Sequence, residues 1–127
     1  MKNMLKKRLI IAFGSQSSGH ANPSSDFDFA VLAPKPLTLT ERTKLSGYLA
    51  KKFNINEDKI DLTDLYTAPP LLLHEIAQKG KLIEGTNFDF IRFKVRAWKV
   101  YQDTAKFRQL EKQMVKNYVK RIHLQKT

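Results

Sequence analysis

Asp26 and Asp28 are the side chains of this sequence best placed to do chemistry. On a strand, alternation puts both carboxylates on one face, roughly 6 to 7 Å apart along the backbone, with Phe27 and Phe29 on the other, buried face. Such a pair repels itself and raises one pKa, whereas a hard divalent cation with oxygen ligands turns the repulsion into binding. Upstream, Leu9 to Phe13 is an apolar run that breaks at Gly14-Ser15. A flexible backbone and a hydroxyl at that point can approach phosphate oxygens closely. Strand, phosphate turn and carboxylate pair, in that order, suit a nucleoside triphosphate held through magnesium. Taken singly, each piece is common: a lone D-x-D is more often a solvated strand edge, and a lone Gly-Ser a plain turn.

A third carboxylate comes from Lys59 to Leu65, KIDLTDL. Alternation places Asp61 and Thr63 on one face and Ile60, Leu62 and Asp64 on the other. A strand laid beside the first pair would bring Asp61 to the same cations, completing the three-carboxylate set that two-metal phosphoryl chemistry uses. Asp64, facing away, reads as a structural loop or cap ligand. His20, His74 and His123 are scattered without ligand spacing and are assigned to neither metal nor acid–base work. The absence of cysteine excludes disulfides, thiol nucleophiles and cysteine zinc sites, and is compatible with the cytoplasm.

Several elements must position these groups. Leu9 to Phe13 forms the first strand. Gln16 to Ser25, rich in Ser, Gly, Asn and Pro, fits a short helical turn and loop, in which Ser17, Ser18 and Gly19 can offer backbone N–H groups to phosphate. Asp26 to Ala33 forms the second strand, closed by Pro34-Lys35-Pro36. From Thr40, taken as the cap with Thr43 three residues on, Leu45, Tyr48, Leu49 and Phe53 mark a packing helix that links the second strand to the third. Pro69-Pro70 opens another helix with Leu71, Leu72, Ile76 and Ala77 buried and His74 half-exposed, ended by Gly80. Lys81 to Gly85 is a short edge strand. From Phe88, Ile91, Val95 and Trp98, flanked by Phe90, Phe93, Ala97 and Tyr101, predict a broad stripe clamped deeply against the sheet. Beyond it Phe107, Leu110, Met114, Tyr118 and Ile122 line one helix face, and Lys112, Lys116 and Lys120 another. That last helix has three readings: packing on its own domain, docking on a partner, or lying on an acidic surface such as RNA. Aromatics are not interleaved with the lysines, so a stacking platform for single strands is weakly supported.

The 127 residues suffice for a single domain with a real core, spanning 1–127 with a helical C-terminal segment at about 88–123. Lys and Arg number 23 against 12 Asp and Glu, giving +11. Such a surface attracts nucleotides, nucleic acid or an acidic protein partner. Lys2, Lys6, Lys7 and Arg8 form a solvated basic lead-in, and the apolar run after them is too short for export or for spanning a membrane.

Ser15, ten residues, then Asp26-x-Asp28 reproduces without a gap the G-S-x10-D-x-D signature of the DNA polymerase β-like nucleotidyltransferases. Together with the strand at Asp61, the L-x-x-A-P-P-L-L run from Leu65 to Leu72, the K-G-K-L-I segment and the stretch from Trp98 to Thr104, the chain resembles one branch of that superfamily. This branch is the minimal nucleotidyltransferases, the MNT-type antitoxins paired with HEPN ribonuclease toxins. The resemblance implies an α/β fold with a small mixed sheet flanked by helices. It also implies transfer of AMP from ATP to a tyrosine hydroxyl of the toxin, which silences it. Gly14 and Ser15 would hold the triphosphate, Asp26 and Asp28 would bridge two Mg2+ ions, and Asp61 would bind the catalytic metal and help deprotonate the attacking hydroxyl. Many relatives carry an arginine or other long side chain where this chain has Gln16, Ser17 and Ser18. That cationic phosphate contact is then missing or supplied elsewhere, with Lys6, Lys7 and Arg8 as candidates. Two other functions remain open: an antitoxin that acts by docking alone, and a nucleotidyltransferase for a small molecule such as an aminoglycoside. The small-molecule enzymes usually add a substrate-binding domain for which this chain has no length.

Overall fold

The computed structural model describes residues 8–14 and 26–125, with side chains described to His123. Among the described residues four strands, β1 (Leu9–Phe13), β2 (Phe27–Leu32), β3 (Ile60–Asp64) and β4 (Lys81–Glu84), form one mixed sheet in the order β3-β2-β1-β4. β3 runs parallel to β2, while β1 is antiparallel to both β2 and β4. The α-helices among the described residues are α1 (Leu39–Phe53), α2 (Pro70–Lys79), α3 (Asn87–Asp103) and α4 (Ala105–Gln125). The expected small mixed sheet flanked by helices is what forms.

Alternation along the strands divides the core in two. Ile10, Phe29 and Val31 pack with Leu45 and Leu49 of α1 on one face. Leu9, Ile11 and Ala30 pack with Ile76 and Ala77 of α2 and Phe93 and Ala97 of α3 on the other. Leu49 is fully buried, so Leu49→Ala would cost about 2–5 kcal/mol in lost burial and cavity. The β2–β3 crossover through α1 makes the parallel pairing possible, because parallel strands need a long connection.

Local signals explain most element ends. α1 begins at Thr38, not Thr40: Thr38 Oγ1 accepts from Glu41 N at 3.1 Å, and Glu41 Oε1 accepts from Thr38 N at 3.1 Å. This capping box closes two otherwise orphaned donors, which Thr40 with Thr43 at its third position has no acid to do. α2 starts with Pro70 and ends at Gly80 as expected, but Leu71 is exposed, because only the Ile76–Ala77 side meets the core.

The C-terminal segment departs furthest from expectation. Its two helices meet at Thr104, and it is the burial that differs: Ile91, Val95 and Trp98 are each 58% exposed rather than deeply buried. The sheet face is already occupied by α2, so α3 reaches the core only along the ridge of Phe93 and Ala97, with Phe90 partly buried beside it. At the break, Arg108 Nη1 donates to Thr104 Oγ1 at 2.6 Å and Nη2 to the Tyr101 carbonyl at 2.9 Å. The guanidinium also lies over the Tyr101 ring at 3.8 Å, and His74 stacks on that ring at 3.8 Å. α4 beyond this joint is exposed almost throughout.

Candidate active site

The parallel pairing of β2 and β3 sets Asp61 directly opposite Asp28, as Phe27 faces Ile60 and Phe29 faces Leu62. Facing residues on adjacent strands share a side of the sheet, with backbones about 4.8 Å apart. Asp28 and Asp61 therefore project from the α2–α3 side, at the sheet end where β1 stops and β2 and β3 start. Asp26 is the residue just before β2 and is exposed, as is Asp61, while Asp28 is half-buried. Period-two alternation puts Asp26 on the side of Asp28.

The electrostatics follow from this crowding. Burial pushes the Asp28 carboxyl above its ordinary 3.8, and the like charges of Asp61 and Asp26, with a hydrogen-bonding contact to Asp61, push it further. Among the described residues no three carboxylates or imidazoles are gathered tightly enough to enclose an ion unaided. The set is an open one, suited to a cation whose remaining ligands come from a substrate.

Gly14 ends β1 with φ +82°, in the left-handed region that favours glycine. A Cβ at this position would run into Asp28 Oδ2, so glycine is needed here for close approach to the carboxylate as well as for the turn. Ser15, Lys6, Lys7 and the Gln16 to Ser25 segment, expected to supply phosphate contacts, lie outside the described residues.

Arg8, one of the three candidate cations for phosphate, is engaged elsewhere. Its Nε and Nη2 reach Glu84 Oε2 at 3.0 and 2.9 Å, and Tyr48 donates to Glu84 Oε1 at 2.7 Å. This cluster ties β1, β4 and α1 together and removes Arg8 from the phosphate role. Asp64 is structural, as its facing-away position suggested: buried at 5% exposure, its Oδ2 accepts from Leu37 N and its Oδ1 from Tyr66 N, both at 2.9 Å. A cleft of about 330 Å3, walled by Phe27, Phe53, Asn54, Ile55 and Ile83 among others, lies on the opposite, α1 side of the sheet and meets the carboxylate set only at Asp28. Sequence patterning gave Phe53 to Ile55 no functional weight; the signal present was Asn54, which ends α1 in the left-handed conformation at φ 52°.

A mixed sheet that brings a glycine turn and carboxylates from two parallel strands to one end defines a nucleotidyltransferase-type site. Residues 1–89 match the polymerase beta nucleotidyltransferase family model, and the chain belongs to that family. It is 36% identical over 107 residues to the protein adenylyltransferase MntA of Shewanella oneidensis, covering 84% of this chain and 75% of that protein. It is 30% identical over 122 residues to the protein of the same name from Aphanizomenon flos-aquae, covering 90% of this chain and 81% of that one. A crystal structure of a toxin–antitoxin with AMP-PNP superposes with a TM-score of 0.73 at 34% identity, covering 90% of each chain. A tri-AMPylated Shewanella oneidensis HEPN toxin in complex with MNT antitoxin gives 0.67 at 32% identity, over 90% of this chain and 87% of that one. No described helix is long and apolar enough to cross a membrane.

Proposed function

We propose that this chain is an antitoxin adenylyltransferase that moves AMP from ATP onto a tyrosine hydroxyl of a cognate HEPN ribonuclease toxin and thereby neutralises it. The observation that carries the reading is the register of Asp28 against Asp61, with Asp26 beside them and Gly14 turned in against Asp28. The named activity of the two MntA relatives and the HEPN complexes among the structural neighbours supply the donor and acceptor classes.

The crowded carboxylates fit hard cations: burial first, then the like charges of Asp61 and Asp26, disfavour the ionised Asp28 carboxyl, and a divalent cation with oxygen ligands would offset both. Asp26 and Asp28 would hold two Mg2+ ions, and Asp61 would share the catalytic one. Bound there, magnesium neutralises charge on the attacking and leaving oxygens. Asp61 also receives the proton of the tyrosine hydroxyl as its oxygen closes on the α-phosphorus. Gly14 would give the triphosphate room, and Ser15 is assigned the next phosphate contact through its hydroxyl. The new bond joins the tyrosine oxygen to the α-phosphorus, the bond to the β-phosphate bridge breaks, and pyrophosphate departs. With ATP as donor and a ribonuclease as target, the working compartment is the cytoplasm.

Ribonuclease activity of the HEPN partner tests this directly. Preincubation with wild-type protein, ATP and magnesium is expected to abolish it, and Asp26→Ala/Asp28→Ala to leave it intact. Equal neutralisation by the double variant would instead support inhibition by docking alone, the second reading, which the exposed apolar face of α4 favours.

A further inference from the structure

α4 is about 30 Å long at 1.5 Å per residue and carries a bare apolar stripe. Phe107, Leu110, Met114, Val115 and Tyr118 are each more than half exposed, and with Glu111 they line an open groove of about 500 Å3. An apolar patch of this extent on a polar helix marks an interaction site. The stripe recurs at the three- and four-residue steps by which one helix receives another. The root of the arm is held by Arg108 against Tyr101 and Thr104, so its direction is set before any partner arrives.

Charge selects the occupant. α4 contains six Lys or Arg against one acid, Glu111, on a chain of +11. Lys106 and Arg121 border the stripe by helical spacing, while Lys112, Lys116 and Lys120 form the opposite ridge. Two copies laid stripe to stripe would bring like charges together, which opposes self-association. Single-stranded RNA would need aromatics and cations on one surface, whereas Phe107 and Tyr118 lie on the face opposite the ridge of Lys112, Lys116 and Lys120.

We propose that α4 is the gripping arm of this chain and takes a helix of its protein partner whose apolar stripe is bordered by Asp and Glu. The inference rests on the reading of the partner as a HEPN protein, and it assigns the surface and the chemistry that hold it.

The test measures binding of the HEPN partner by calorimetry with an Asp28→Asn background, so that docking is read without transfer. Leu110→Asp/Met114→Asp in that background is expected to weaken binding roughly 30-fold or more, as loss of a central apolar anchor does. Lys106→Glu/Arg121→Glu is expected to weaken it about tenfold, and raising salt from about 0.1 to 0.5 M to weaken the parent complex, because exposed charge pairs are screened. Helicity by circular dichroism should be unchanged in both. Equal affinity with Leu110→Asp/Met114→Asp overturns the proposal. So does a dimer of the free chain in sedimentation that the same substitutions disperse, since that makes a second copy the occupant. Binding that depends on α4 without any AMP transfer by the protein carrying Asp28 would fail the catalytic reading alone. Transfer without dependence of binding on α4 would fail this one alone.

Discussion

Asp28 and Asp61 face each other across the parallel junction of β2 and β3, two carboxylates set side by side by the backbone pairing. Burial, then Asp61, then Asp26 raise the Asp28 pKa above 3.8. The folded chain thus binds this proton more tightly than the unfolded chain, so the repulsion is present in full at neutral pH and is relieved as pH falls through the raised value. Asp28→Asn should therefore melt at or above the wild-type temperature in metal-free buffer at pH 7, and should lose the magnesium-dependent rise in melting temperature. A variant that melts lower without metal would contradict this account of the pair.

Gly14→Ala combines a strained backbone at φ +82° with a Cβ directed at Asp28 Oδ2. The left-handed conformation alone costs roughly 1–2 kcal/mol for a residue with a Cβ. Displacement of the carboxylate should add a fall in AMP transfer of about tenfold or more. Kinetics at a temperature where the variant is fully folded separate the two effects, and unchanged turnover there would remove Gly14 from the site.

Asp64 offers a contrast with Asp61 only three residues away. Asp64→Ala strands the N–H groups of Leu37 and Tyr66, at about 1–3 kcal/mol for each that stays buried. Denaturant melts should show a loss of about 2–4 kcal/mol, with transfer activity retained at low temperature. Asp61→Ala should do the reverse.

Glu84 carries the acid sensitivity of the cluster joining β1, β4 and α1. Burial by itself would raise its pKa, but the Tyr48 hydroxyl and the Arg8 and Lys52 cations outweigh it and hold the carboxyl below its ordinary 4.5. Its stabilisation is present above 4.5 and is lost as pH falls through the lowered value. The stability difference between wild type and Glu84→Gln should be largest near neutral pH and close in that acid window. A difference that stays constant from pH 7 to about 3 would assign the effect to packing.

The carboxylate set was legible because strand alternation has a strict period of two, which fixes the face of Asp26, Asp28, Asp61 and Asp64 once the strands are recognised. Arg8 was misread because its partner Glu84 is 76 residues away, beyond any local pattern. The Thr38 cap was missed although Glu41, at its third position, pointed to it. The burial of Ile91, Val95 and Trp98 was overestimated for a different reason: helical periodicity reports that a face is apolar, not whether the chain itself covers it.

The intact mass of the HEPN partner after incubation with this protein, ATP and magnesium separates AMP transfer from inhibition by docking. Its mass should rise by one or more AMP groups, localised to tyrosine, and should not change with Asp26→Ala/Asp28→Ala or with Asp61→Ala. An unmodified partner whose ribonuclease activity is nonetheless lost, or AMP groups still added by the aspartate variants, would contradict AMP transfer by this site.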